Sequence, residues 1–242
     1  MKKFLIFVVI STFIFRYISE KKFNYPYYNM IGYKMPVEKY VLLDITGIVF
    51  GIRKFVSDIA WIQLLQYYGS SEDTQECNEH NHLHCEHGRN YGGGKYYDLL
   101  KLTQRIIRLD PYFIYAYLYS SASLTWNLNR PEEGLSLLKE GISNKLLQRN
   151  PEYWQLHLYT SAIIYKMTDK YYRMIDILEK AVKQKNCPVM VKAILANIYK
   201  KTNNYIKSLN LWIEIYESNN PDYRNYAEKQ INLLKEKIKL KL

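Results

Sequence analysis

The sequence is poor in the residues that would narrow its fold at once. It holds three cysteines in 242 residues, which excludes a small fold stapled by disulfides. Its 10 glycines and 7 prolines exclude collagen-like and proline-rich low-complexity chains. Long hydrophobic runs are scarce: one stretch, Phe4 to Phe15 (FLIFVVISTFIF), is broken only by Ser11 and Thr12. Acidic residues are the minority charge, 23 against 34 Lys and Arg, giving a formal net charge of +11. That balance suits anionic neighbours such as a membrane surface or nucleic acid, and says nothing of fold. Tyrosine is abundant, with 25 residues in a chain that is 48% hydrophobic and 24% charged. This composition excludes wholesale disorder, and the length suffices for one sizeable domain or a small repeat array.

Lys2 and Lys3 precede the apolar run, which is shorter than the about 20 residues of a membrane-spanning helix. The run fits a signal-peptide core or a short, tilted anchor. No small-residue cleavage site follows, since the next residues are Arg16-Tyr17-Ile18-Ser19-Glu20. Residues 1–19 are therefore expected to be a single uncleaved anchor, with a cleaved signal as the alternative, and the body to lie outside the cytoplasm. Residues 20–37, with Pro26, Gly32 and Pro36 among tyrosines, read as a linker to a helical domain over 38–242.

From Glu38 to Gly69, apolar residues at Leu42, Ile45, Val49, Ile52, Val56 and Ile59 recur at helical steps and predict one amphipathic helix. Residues 70–95 break every period and read as an inserted loop. After Tyr96 the helical period returns, and it repeats. An offset of 34 pairs Ala162 with Ala196, Tyr165 with Tyr199, Lys166 with Lys200, Tyr171 with Tyr205 and Leu178 with Trp212. Asn186 and Asn220 close the two units, each just ahead of a proline, Pro188 and Pro221. Weaker copies precede them. One holds Tyr117, Ser121, Leu124, the turn Asn129-Arg130-Pro131, then Gly134, Leu138 and Gly141, with extra residues from Lys145 to Asn150. The other joins Ala60, Trp61, Leu64 and Tyr68 to Tyr97–Leu109.

A 34-residue helix–turn–helix period with these small, aromatic and proline positions resembles the tetratricopeptide repeat. The resemblance is best over 155–188 and 189–222, with 223–242 as a lysine-rich capping helix, and departs from the pattern at Met174, Lys192 and Ser208. It implies an all-α fold, an α-solenoid of helix–turn–helix repeats with an N-terminal hydrophobic segment. It further implies a concave groove lined by the first helix of each repeat. Carried over by position, that groove takes Leu156, Tyr159, Ile163 and Lys166 in one repeat and Met190, Ala193, Asn197 and Lys200 in the next. Tyr119 joins them from the repeat before. The two lysines would favour acidic or carboxylate-bearing ligands.

The chemically dense passage is residues 76–87, where Cys77, His80, His82, His84, Cys85 and His87 crowd together. Thiolate and imidazole suit a zinc-class divalent ion (Zn, Cu or Ni), although the spacing matches no zinc-finger frame. A Cys77–Cys85 disulfide and a solvated, inert loop are the alternatives. Gly92-Gly93-Gly94-Lys95 lacks the phosphate-loop pattern and reads as a hinge. His157 and Cys187 have no partners arranged for catalysis, and no nucleophile, nucleotide or dinucleotide motif is present. The expectation is a membrane-anchored scaffold that binds a protein partner, not an enzyme, with metal handling as the alternative and no nucleic-acid role.

Overall fold

The computed structural model describes residues 40–69 and 94–239, together with Ile10, Ser11, Phe13, Ile14 and Tyr17. Among the described residues there are ten α-helices and no strand, as the all-α expectation requires. They are α1 (Val41–Val49), α2 (Arg53–Gly69), α3 (Leu99–Leu109), α4 (Ile114–Ala122) and α5 (Pro131–Ser143). Then follow α6 (Trp154–Thr168), α7 (Tyr172–Val182), α8 (Val189–Lys201), α9 (Tyr205–Glu217) and α10 (Pro221–Lys239). The chain forms two compact units, Met1–Glu133 and Gly134–Leu242.

In the first unit, the single helix expected from Glu38 to Gly69 is two helices. Gly51 ends α1 in the left-handed conformation (φ 73°), and the Ile52 N–H reaches back to the Gly47 carbonyl at 2.9 Å. The Gly51 N–H meets the Ile48 carbonyl at 3.3 Å, completing a Schellman-type end. Glycine is also required at Gly47, where an added Cβ would lie 2.4 Å from Val56 Cγ2 as α1 crosses α2. Helix α2 buries Val56, Ala60, Leu64 and Tyr68, one stripe at four-residue steps, and packs it on α3. Small polar residues let helices approach closely: Ser57 Oγ donates to the Ile106 carbonyl (3.3 Å), and Thr103 Oγ1 to Ser120 Oγ (2.7 Å).

The end of α2 and the approach to α3 meet at one corner of this unit. Helix α2 ends at Gly69, and the chain re-enters at Tyr96, which is buried with φ 43° and packs its ring 4.8 Å from that of Tyr68. The Asp98 N–H donates to Tyr67 Oη at 3.3 Å, and Arg130 Nη1 donates to the Tyr96 carbonyl at 3.0 Å. The chain is thus pinned from Tyr96 onward, while Gly92 and Gly93 of the expected hinge lie outside the described residues.

The second unit carries the repeat. Asp169 (φ 51°) and Asn203 (φ 62°) close α6 and α8 in the left-handed conformation, 34 residues apart. The Asp169 N–H caps the Tyr165 carbonyl (2.7 Å), and the Asn204 N–H caps that of Tyr199 (2.8 Å). Short-side-chain Asp and Asn tolerate this conformation where most residues do not. Within the extra stretch from Lys145 to Asn150, Leu147–Arg149 coils into a short 3-10 turn.

Consecutive helices pack pairwise from α6 to α10. Helix α8 is the hinge of the core. Val191, Leu195 and Ile198 pack with Met174, Leu178 and Ala181 of α7, while Ala193 and Ala196 face Trp212 and Ile215 of α9 and Ala227 and Leu234 of α10. Neither hairpin could bury both faces of α8 by itself, which is why such units stack. Ala196 is wholly buried, and its carbonyl accepts a hydrogen bond from Ser208 Oγ at 2.8 Å. Ala162, its partner at the 34-residue offset, is only half-buried.

Candidate functional site

The first helices of the two best repeats, α6 and α8, carry the residues expected to line a groove. The structure divides them by burial. Leu156 and Ile163 are fully buried and offer no surface to a ligand, which corrects their assignment to the groove. They belong to an inward stripe with Thr160, spaced at helical steps. Ala193 is likewise inside, packed in the core shared by α8, α9 and α10. Lys166 and Met190 are exposed, while Tyr159, Asn197 and Lys200 are half-buried. Positions 34 apart therefore share a backbone place but not a surface: Leu156 is inside where Met190 is outside.

The two lysines also differ. Lys200 Nζ donates to Gln230 Oε1 of α10 at 2.7 Å, and its ammonium is pushed below the ordinary lysine value by burial and by Lys237. Lys200 is thereby tied to the final helix, whereas Lys166 stands out in solvent.

In the first unit, Tyr119 belongs to an aromatic cluster built across α2 and α4. Trp61 meets Phe113 (5.3 Å, 64°), Tyr115 (5.7 Å, 75°) and Tyr119 (5.3 Å, 82°) edge to face. Such arrangements set the positive edge of one ring against the negative face of another. Tyr115 is exposed, and Trp61, Phe113 and Tyr119 are half-buried. Tyr115 and Phe113 escaped the sequence reading. Their signal was the four-residue step from Tyr115 to Tyr119 just after Asp110-Pro111.

The abundance of tyrosine alongside basic residues has a structural use. Lys201 sits over the Tyr171 ring (4.3 Å) and donates to its hydroxyl (2.8 Å), holding that phenol below its ordinary range. Lys237 lies over Tyr205 at 5.8 Å, so the turn tyrosines 34 apart are each capped by a cation from a later helix. Tyr165 stacks on Tyr171 at 4.7 Å, and its own hydroxyl is raised by the hydrogen bond to Tyr171 and by Asp169. Tyr199 is raised by burial and by its short hydrogen bond to Glu179.

A buried ion pair lies at the centre of the first unit, unforeseen from sequence. Arg105 Nε and Nη2 donate to the Asp44 carboxylate at 2.7–3.0 Å, and Nη1 donates to Gln63 Oε1 at 2.8 Å. The Tyr40 ring covers the guanidinium at 4.2 Å. Both charges are almost wholly buried, and the planar fork of arginine matches the carboxylate. The pair ties α1 to α3.

No family model matches the chain, and no curated protein is recognisably similar to it. The geometry alone therefore carries the functional reading. Burial lowers His157 below its ordinary value, with Lys180 adding to the effect, and burial raises the Cys187 thiol. His157 is buried and Cys187 half-buried, and in each burial disfavours the charged form. Among the described residues no group of His, Cys, Asp and Glu is placed to hold a metal, and no helix is long and apolar enough to cross a membrane. The ligand set Cys77, His80, His82, His84, Cys85 and His87, most of the Phe4–Phe15 run and the 20–37 linker lie outside the described residues.

Proposed function

We propose that this chain is a membrane-anchored, tetratricopeptide-like scaffold that binds another protein, and is not an enzyme. The observation that carries the reading is the left-handed turn repeated at Asp169 and Asn203, 34 residues apart, behind two equivalent first helices. In repeats of this length, first helices line the binding face. Here that face takes Tyr159, Lys166, Met190 and Asn197. The aromatic surface at Trp61, Tyr115 and Tyr119 is a second contact patch, because rigid aromatic rings supply contact area at low entropic cost. Lys166 favours a partner with acidic side chains or a free carboxylate.

The test uses the full-length chain in detergent as bait, with bound proteins identified by mass spectrometry. Lys166→Glu combined with Asn197→Asp is expected to lower partner capture tenfold or more. The change in stability should stay near 0.5 kcal/mol, as for other surface substitutions. Capture unaltered by this double change, with helicity intact, would refute the assigned face. Lys200 is left unchanged because its bond to Gln230 gives it a structural task.

A second reading, metal handling, draws on the His/Cys passage and on the way its ends are held together at Tyr68 and Tyr96. A loop closed in this way loses less entropy when ligands gather on an ion. Under reducing conditions the protein should then hold about one zinc-class ion per chain. Because thiolates and neutral imidazoles are needed, binding should weaken below about pH 6. Cys77→Ser with Cys85→Ser and His82→Ala should abolish it and leave helicity unchanged. Metal-free protein under these conditions would remove the reading.

A further inference from the structure

Where α8 meets α10, the second unit gathers positive charge and leaves it unanswered. An ammonium has three donors, and Lys200 uses one of them on the neutral Gln230 Oε1 at 2.7 Å. A lysine offers no acceptor, so the carboxamide oxygen faces it and the Gln230 amide nitrogen is left over as a donor. That nitrogen meets no acceptor among the described residues, although Gln230 is only 7% exposed. Lys237 stands about two turns beyond Gln230 on the same stripe of α10, and helical side chains lean back toward the N-terminus. It is near enough to disfavour the Lys200 ammonium, an effect second only to burial. Its own contact, 5.8 Å from the centre of the Tyr205 ring, neutralises nothing. Asn197, one turn before Lys200, is half-buried and adds a second carboxamide to the face.

No carboxylate answers these charges. Helix α8 has no acidic residue. On α10, Glu228 and Glu236 lie roughly 120° or more around the axis from Gln230, and Asp222 is more than two turns away at the other end. Glu214 of α9 is paired with Lys192 at 3.1 Å, and Glu217 closes α9 at the end that adjoins Asp222. Among the described residues neither Lys200 nor Lys237 forms an ion pair. Two neighbouring ammonium groups repel, and an anion within reach of both relieves them. A carboxylate would answer one of the two charges with two oxygens. A phosphoryl group carries about −1.5 to −2 charge at neutral pH and three acceptor oxygens, which matches two ammoniums and an amide donor.

We infer that the α8–α10 face is a phosphoryl-binding site, with Lys200, Lys237 and the Gln230 amide as donors and Asn197 at its edge. Lys200 keeps its bond to Gln230 throughout, because two of its three donors are still to be used. The phosphoryl group is either free phosphate or borne by a protein segment, and the test separates the two. The site itself stands apart from the scaffold reading, since it is measured without any protein partner.

The full-length chain in detergent is titrated by calorimetry at low ionic strength with three probes. They are inorganic phosphate, a blocked tripeptide with a central phosphoserine, and the same tripeptide with glutamate in its place. Phosphate and phosphopeptide are expected to bind at about one site per chain, and the glutamate peptide at least tenfold more weakly. Lys237→Met should weaken both phosphoryl probes tenfold or more with helicity and melting temperature unchanged, because Lys237 is exposed. Lys229→Met, at an exposed lysine on another face of α10, should bind as the wild type does. Lys200→Met should lose at least as much as Lys237→Met. If it also lowers the melting temperature through its bond to Gln230, the pair Lys237→Met and Lys229→Met still decides. A phosphopeptide bound more tightly than phosphate assigns the group to a protein segment, and phosphate bound as tightly or more so assigns it to the free ion. Three results would each overturn the inference: no saturable binding, a glutamate peptide as tight as the phosphopeptide, or equal losses from Lys237→Met and Lys229→Met.

Discussion

Arg105→Met is expected to destabilise the protein by about 3–5 kcal/mol, read as a fall in the denaturant midpoint at unchanged slope. The reason lies in what remains. Asp44 would keep its carboxylate in the interior after losing a two-pronged partner at 2.7–3.0 Å, and Gln63 would lose its donor at 2.8 Å. A buried charge without a partner costs far more than the pair itself contributes, because desolvation of both groups already offsets much of their attraction. The double change Arg105→Met with Asp44→Leu should accordingly recover most of the loss. A single variant as stable as the wild type would show that water reaches the carboxylate. A double variant as unstable as the single would show that the pair positions α1 in a way apolar packing cannot replace.

Trp212→Ala should cost a similar about 3–5 kcal/mol, and it acts in the other unit. Trp212 is wholly buried where α8, α9 and α10 meet, among Ala193, Ala196, Ile215, Ala227 and Leu234. Three of those neighbours are already alanines and cannot swell to fill the void, so the lost ring leaves a cavity rather than a collapse. Tyr226, edge-on at 5.3 Å, would lose its ring partner as well. Trp212 Nε1 has no hydrogen-bond partner, so the indole nitrogen adds nothing to set against its desolvation. Trp212→Phe should therefore lose well under half as much. Equal losses for the two variants would mean that the indole nitrogen is satisfied after all, by a water in solution.

The repeat was legible because its determinants are local. Asp169 and Asn203 announce left-handed turns by residue type, and the apolar steps of α6 to α9 announce helices by period. The break at Gly51 was not. A lone glycine inside a helical pattern is tolerated as often as it ends a helix, and here the end is set by how closely Gly47 lets α1 approach Val56. The exposed surface of α6 and α8 was legible only in part. Position within a repeat names the helix face, but whether Leu156 or Met190 sees solvent depends on what packs above it.

The sequence by itself determined the helical class, the basic balance and the 34-residue spacing of Asp169 and Asn203, because each follows from composition or spacing along the chain. Tertiary structure decided the rest: that Asp44 meets Arg105 at a separation of 61 positions, that Trp61 gathers Tyr115 and Tyr119 into one aromatic surface, and that Lys200 is held by Gln230 while Lys166 is exposed. These pairings join residues distant in the chain. Their partners are chosen by how the helices cross, and helix crossing is set by the fit of many side chains at once rather than by any local pattern.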